Sequence, residues 1–337
     1  MINTLLKFGQ KYPRTTAFIW GIVFCLIIIL LVEFILRTLH ASQSYEASFT
    51  YPATYHTRDQ FGIRKAAPGQ HHVILKNKIS NEVIYDVTYS INPNGSRVTP
   101  IKNISSRDKF VLFLGCSFTY GEGVEDNQTL PYYLGSYTKE YQPYNFGFHG
   151  HGPFDILAQL ENIDFKHEIK EPNGIVIYSF IDDHVERMLG SIKVMQWKVA
   201  DPYYQQTTLG KFKRKETFLT GRPLETIFYY VLSKSKLLQA LKFNWPGVHQ
   251  PQIKQAAESI RQMKDKFSLK YPHSSFYVLL YPGEFTQHLI PFLDQMNIKY
   301  LDYTKEPFDY LNKNDQHPSA MAYKKIATKI TRDLNLK

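Results

Sequence analysis

The sequence predicts an α/β protein with a doubly wound, mainly parallel sheet, preceded by an amino-terminal transmembrane helix and a small β-rich segment. Three observations point there. Short, continuous apolar runs recur at 109–114, 174–180 and 275–281, as strands buried on both faces require. Helical patterns alternate with them, the rhythm of a parallel sheet covered on both sides. Near the start, Thr15–Val32 carries no charge at all.

Of the 337 residues, 43% are hydrophobic and 21% charged, which excludes a disordered chain. Two cysteines, Cys25 and Cys116, exclude a disulfide framework. The net charge is +10, from 40 Lys and Arg against 30 Asp and Glu. The basic residues are scattered and the densest run, Lys211–Lys215, is short. A nucleic-acid partner needs a clustered basic face, so none is expected.

From Ala17 to Leu36 only Glu33 is charged, and fifteen of the twenty residues are Leu, Ile, Val or Phe. At ~1.5 Å per residue, twenty residues cover the roughly 30 Å hydrocarbon core. A cleaved signal peptide would have a shorter apolar region and a small-x-small site. Leu39-His40-Ala41 puts a large residue where a small one belongs. An uncleaved anchor over 15–37 is therefore expected. Lys7, Lys11 and Arg14 precede it and only Arg37 follows closely. Positive charge stays inside, so residues 1–14 are expected in the cytoplasm and the remainder outside, in the periplasm of a Gram-negative cell.

Residues 41–80 read as polar and turn-rich within a lead-in segment, 38–105. Val83–Ile91 alternates as a strand does and Asn92-Pro93-Asn94-Gly95 closes it with a turn. Lys109–Leu114 opens the main unit, 106–337. Further strands are expected at Tyr144–Phe146, Gly174–Phe180, Ser275–Tyr281 and Lys299–Asp302. Helices are expected near 128–139, 154–168, 251–269, 284–296 and 318–334. Residues 187–248 break the rhythm and read as an insertion of Lys- and Tyr-rich turns with an apolar helix near 223–242.

In open α/β sheets ligands bind at the carboxyl ends of strands. After the first core strand comes Gly115-Cys116-Ser117, with Ser117 opening a helix. After the second comes the Gly-rich Gly147-Phe148-His149-Gly150-His151-Gly152, and after the third Asp182-Asp183. Before the last helix stands Asp315-Gln316-His317. A Ser, a His and an Asp are the nucleophile, base and orienter of acyl transfer. Cys116 is a rival nucleophile, but no nearby motif argues for a lowered thiol pKa. His149, His151 and His184, with Asp182 and Asp183, match no zinc spacing. No Gly-Lys-Ser/Thr or Gly-x-Gly-x-x-Gly stands at a strand end.

Taken in order, these blocks resemble the SGNH (GDSL) hydrolases. Gly115–Val124, followed by Thr129-Leu130-Pro131, is similar to that family's first block. Asn145–Gly152 is similar to the second, Asp182-Asp183 falls at the third, and Asp315-Gln316-His317-Pro318 is similar to the last. Upstream, Asn92-Pro93-Asn94-Gly95-Ser96-Arg97 resembles the Asn-x-x-Gly-x-Arg turn of membrane-associated members. The resemblance implies a flavodoxin-like fold, catalytic Ser117, His317 and Asp315, and oxyanion donors at Ser117 and Gly150, without cofactor or metal. It implies a serine esterase acting on an acyl or acetyl ester, a small molecule or an acylated glycan or lipid of the cell envelope. An O-acyltransferase on the same residues, or a non-catalytic binding protein of this fold, are the alternatives. Two departures stand out. Cys116 replaces an Asp. Asp182 replaces the Asn that lends a further oxyanion donor, and a carboxylate cannot donate unless protonated. The Asp–His spacing is also two rather than three, with Asn314 at the three-back position.

Overall fold

The computed structural model describes residues 11–43, 47–52, 54–77, 80–102, 107–311 and 315–336. Lys7 and Asn314 lie outside them.

Pro13–Gln43 is one helix, and within it Pro13–Leu39 is long and apolar enough to cross a membrane, with a mean hydropathy of 3.0. Its Glu33 is not left unpaired. The carboxylate accepts from the Ser235 hydroxyl (2.9 Å) and from the N–H groups of Lys236 (2.8 Å) and Leu237 (2.9 Å). Arg37 donates to Glu33 at 2.8 Å and to the Lys234 carbonyl at 2.8 Å.

The lead-in holds β1 (Ala47–Thr50), β2 (His56–Arg58), β3 (Arg64–Ala66), β4 (Gly69–Asn77) and β5 (Val83–Ile91). β1, β4 and β5 form an antiparallel sheet, and β2 pairs with β3. Here the structure corrects the expectation of turns over 41–80. The inward residues of β4 are His71, Val73, Leu75 and Asn77. Polar residues at both ends of that face hide the alternation.

The central sheet contains β6 (Lys109–Leu114), β7 (Tyr141–Asn145), β8 (Asn173–Phe180), β11 (Ser275–Leu280) and β12 (Lys299–Asp302). They lie in the order β12-β11-β8-β6-β7, and every pairing is parallel. From β6 to β12 that is the flavodoxin-like 2-1-3-4-5 order, with its switch point between β6 and β8. β6 is apolar on both sides because both sides are covered. Phe110, Leu112 and Leu114 face the helices Pro153–Asn162 and Gln250–Lys270. Val111 and Phe113 face Leu130–Tyr137 and Ala320–Asp333. Each such fully buried side chain contributes about 1.5–3 kcal/mol.

The remaining strands, β9 (Pro202–Gln206) and β10 (Phe212–Thr217), form a hairpin in the segment expected to hold turns. Two expected helices are broken, each by a capping residue. Asp164 accepts from the Lys166 N–H and starts Phe165–Glu168 after Pro153–Asn162 has ended. Ser235 accepts from the Leu238 N–H and separates Pro223–Ser233 from Lys236–Ala240. A side chain that bonds the backbone N–H groups of a first turn begins a new helix there.

Arg97 ties the lead-in to the central sheet. Its guanidinium is fully buried and lies over the rings of Tyr89 (4.4 Å) and Tyr120 (4.8 Å). It donates to the carbonyls of Tyr120 (2.9 Å), Gly121 (2.5 Å) and Val124 (2.6 Å), and to Asp126 (2.9 Å). Gly121 must be glycine: its φ is +85°, and a Cβ there would meet Thr129 and the guanidinium. Arg97→Met leaves the buried Val124 carbonyl without a partner and takes a charged donor from Asp126 and from the Tyr120 and Gly121 carbonyls, which should cost about 3 kcal/mol. Urea unfolding of the full chain in detergent should show the midpoint fall with its slope unchanged.

Candidate active site

Ser117 stands at the carboxyl end of β6, first in the short helix Ser117–Tyr120. Asp182 follows β8, on the far side of the switch point. His317 arrives from the loop before the last helix. That loop is pinned by the Leu311 N–H on the His317 carbonyl (3.0 Å) and the Ser319 N–H on the Asp309 carbonyl (2.8 Å). The fold thereby brings together two side chains 200 residues apart: Ser117 Oγ lies 2.8 Å from His317 Nε2.

On the other side of the ring, His317 Nδ1 is hydrogen-bonded to the Asp315 carboxylate. The same oxygen accepts from the His317 backbone N–H at 3.1 Å. This turn explains how a spacing of two works. Asp315 folds back over its own backbone and reaches ring and main chain together. With Nδ1–H donating to Asp315, Nε2 is the acceptor for the Ser117 hydroxyl.

A second carboxylate, Glu122, belongs to the same constellation and was not singled out in the sequence. Its Oε2 lies 3.4 Å from His317 Nε2 and is hydrogen-bonded to His149 Nδ1. The Tyr55 hydroxyl then joins the other nitrogen of His149 (2.7 Å) to the Tyr120 hydroxyl (2.6 Å). The only sequence signal was an acid five residues after Ser117 in a Gly-rich turn. Burial pushes the Glu122 carboxyl up, but the imidazoles of His149 and His317 outweigh it and hold it well below the usual range. Burial pulls His317 down. Glu122 and Asp315 outweigh that too, and the imidazole ends above its ordinary value.

A cleft of about 440 Å³ opens in front of Ser117 and His317, with Phe118, Tyr281, Asp182 and Arg187 on its walls. Arg187, also not singled out, donates to the His151 carbonyl (3.0 Å) and to Asp183 (3.1 Å). Its positive charge offsets the acids across the cleft.

Asp182 does not supply an oxyanion donor. Its carboxylate accepts from Phe285 N–H (3.1 Å), Thr286 N–H (2.8 Å) and the Thr286 hydroxyl (2.8 Å). It caps the helix Glu284–Gln295, where a negative charge is favourable. A Cβ at Gly283 would run into that carboxylate. Gly150 ends the turn after β7 with φ +68°, and its carbonyl accepts from Arg64 at 2.9 Å. The Phe148 N–H, on the Gly115 carbonyl (3.2 Å), stitches this loop to the turn bearing Ser117.

Cys116 is fully buried, and burial pushes its thiol up, away from the thiolate a nucleophile needs. His151 Nε2 is hydrogen-bonded to the Arg64 carbonyl (2.8 Å) and His184 Nδ1 to the Tyr178 hydroxyl (2.8 Å). Among the described residues no group of three or more His, Cys, Asp or Glu is placed to hold a metal ion.

No family model and no curated protein matches the chain. Solved structures do. One is a member of the lipolytic G-D-S-L family from Veillonella parvula, 11% identical, covering 67% of this chain and 98% of that one, with a TM-score of 0.39. Another is a family two carbohydrate esterase from Cellvibrio japonicus, 10% identical, covering 72% and 64%, with a TM-score of 0.42. A third is the acetylxylan esterase Axe2 from Geobacillus stearothermophilus, 12% identical, covering 69% and 96%, with a TM-score of 0.37.

Glu122 faces the nitrogen that would gain a proton from Ser117, so its charge favours the imidazolium over the neutral ring. Glu122→Gln should therefore lower the His317 pKa. The acid limb of the pH–rate profile, where the protonated ring can no longer accept, should move to lower pH. A profile of ester hydrolysis against pH for both proteins checks the sign.

Proposed function

We propose that this chain is a membrane-anchored serine esterase of the SGNH type, cleaving an acyl or acetyl ester. The observation that supports this reading is the Ser117–His317–Asp315 chain of hydrogen bonds, closed between residues 200 apart in the chain at the mouth of a cleft.

Ser117 Oγ attacks the ester carbonyl while His317 Nε2 takes its proton. Asp315 holds the ring in the accepting tautomer and, with Glu122, stabilises the charge the ring acquires. The N–H groups of Ser117 and Gly150 meet the developing oxyanion. His317 then gives its proton to the departing alkoxide, and the ester C–O bond breaks to leave acyl-Ser117. Water attacks in turn, passing one proton to His317 and releasing the carboxylic acid, with the Ser117 hydroxyl restored. Asp182 takes no part in stabilising the oxyanion, so two backbone donors carry that charge.

The apolar amino-terminal helix is the anchor. Its preceding basic residues favour an amino terminus in the cytoplasm and a cleft on the opposite side, among acylated or acetylated glycans and lipids of the envelope.

The full chain in detergent, incubated with a fluorophosphonate probe beside Ser117→Ala, tests the reading. Native protein should be labelled and the variant should not. An unlabelled native protein with a folded circular dichroism spectrum would overturn it. Asp315→Asn should lower kcat on p-nitrophenyl acetate on the order of 10⁴-fold, through loss of the accepting tautomer.

A further inference from the structure

The helix Pro223–Ser233 is folded inside out. It buries Thr226, Tyr229 and Ser233 and turns Leu224, Phe228 and Val231 outward, at 86%, 59% and 61% exposure. Positions three, four and seven apart share one face of a helix, so the apolar stripe points away from the protein. Leu241, Phe243 and Trp245 stand exposed just beyond it. Single exposed apolar side chains are ordinary, but a contiguous set marks a surface that something covers. Beyond residue 43, the exposed large apolar side chains concentrate between 219 and 245.

What stands beside the stripe indicates what covers it. The turn that follows, Lys234–Leu237, is bound to Glu33 and Arg37 of the amino-terminal helix. Those contacts fall where the uncharged stretch Thr15–Val32 ends. At ~1.5 Å per residue that stretch spans about 27 Å, close to the hydrocarbon thickness. Glu33 and Arg37 therefore mark the edge of the hydrocarbon, and the stripe lies at that depth. Its chemistry suits the place. Trp and Tyr gather at the membrane boundary, and here stand Trp245 and Tyr230, with Lys234 4.7 Å over the Tyr230 ring. Lys234, Lys236 and Lys242 add positive charge for lipid phosphates.

We propose that residues 219–245 form a lipid-binding plate, seated in the head-group region beside the anchor of the same chain. The proposal rests on the anchor reading given above. It makes a second fixed point of the insertion. Asn244 donates to Glu186 (3.0 Å), and Arg222 donates to the carbonyls of Leu189 (2.7 Å) and Gly190 (2.8 Å). Glu186 and Leu189 belong to the helix that carries Asp183 and Arg187 into the cleft. Lipid contact thereby holds the cleft at one height and orientation above the bilayer, rather than leaving it free to swing.

The chain has three tryptophans, Trp20 in the anchor, Trp197, and Trp245 in the plate. Two single-tryptophan forms of the full chain, Trp20→Phe with Trp197→Phe and Trp197→Phe with Trp245→Phe, are reconstituted into phosphatidylcholine–phosphatidylglycerol vesicles. The vesicles contain lipid brominated at either a shallow or a deep acyl position. Trp245 emission should fall at least twofold with shallow bromine and less with deep bromine. Unquenched Trp245 beside quenched Trp20 overturns the plate and leaves the anchor standing. If neither is quenched, both readings fail. A nitroxide at Leu224→Cys in a Cys25→Ser chain repeats the measurement with Trp197 intact. Greater collision with oxygen than with a water-soluble nickel complex supports the plate, and the reverse overturns it.

Discussion

A buried cation at position 97 sets the shape of the turn on which the site is built. The stretch from Tyr120 to Val124 has little regular structure of its own, and its carbonyls point inward. Asn145 also reaches the Tyr120 carbonyl (3.2 Å) and the Val124 N–H the Gly121 carbonyl (3.4 Å), but the Val124 carbonyl depends on Arg97, and a polar group left bare in an apolar setting is costly. The Arg97 guanidinium, planar and rich in donors, meets three of them at once and leaves one edge for Asp126. Tyr89 and Tyr120 close over its faces. Because Arg97 comes from the lead-in and the turn from the central sheet, the contact also explains why the two pack as one body. Tyr55 and Tyr85 reach the polar groups behind His317 from the same lead-in.

The imidazole of His317 is held between unlike neighbours. Asp315 bonds Nδ1 and its own loop, so ring orientation and backbone conformation are set by one carboxylate. Glu122 approaches from the side of Ser117, and is itself anchored by His149 and Tyr85. Both negative charges favour a protonated ring over a neutral one. A base stabilised in its charged form accepts a proton readily, and the stabilisation is largest once the proton has moved. The cost is that the resting ring protonates at a higher pH than an ordinary imidazole.

What could be read in the sequence was what depends on local pattern. β6, β8 and β11 are apolar on both faces, so composition alone marks them. Ser117, and Asp315 with His317, stand at strand and helix ends, where an open sheet displays its ligands. The rest depended on neighbours far along the chain. β4 hides behind His71 and Asn77, polar residues that point inward because the Ala67 carbonyl and the Ser80 N–H meet their side chains and the Tyr55 ring packs on His71. Asp182 could be weighed only as a missing donor. That it caps a helix begun a hundred residues later follows from β8 and β11 lying side by side. Glu122 is one acid among thirty until the fold turns it toward His317.

The inside-out helix in the insertion has a practical corollary. Trimming the chain behind the helix Pro13–Gln43 removes its longest apolar stretch, but leaves Leu224, Phe228 and Val231 bare to water. A truncated form keeps that sticky flank. It should crowd against its own copies, or collect detergent, as exposed apolar surface does.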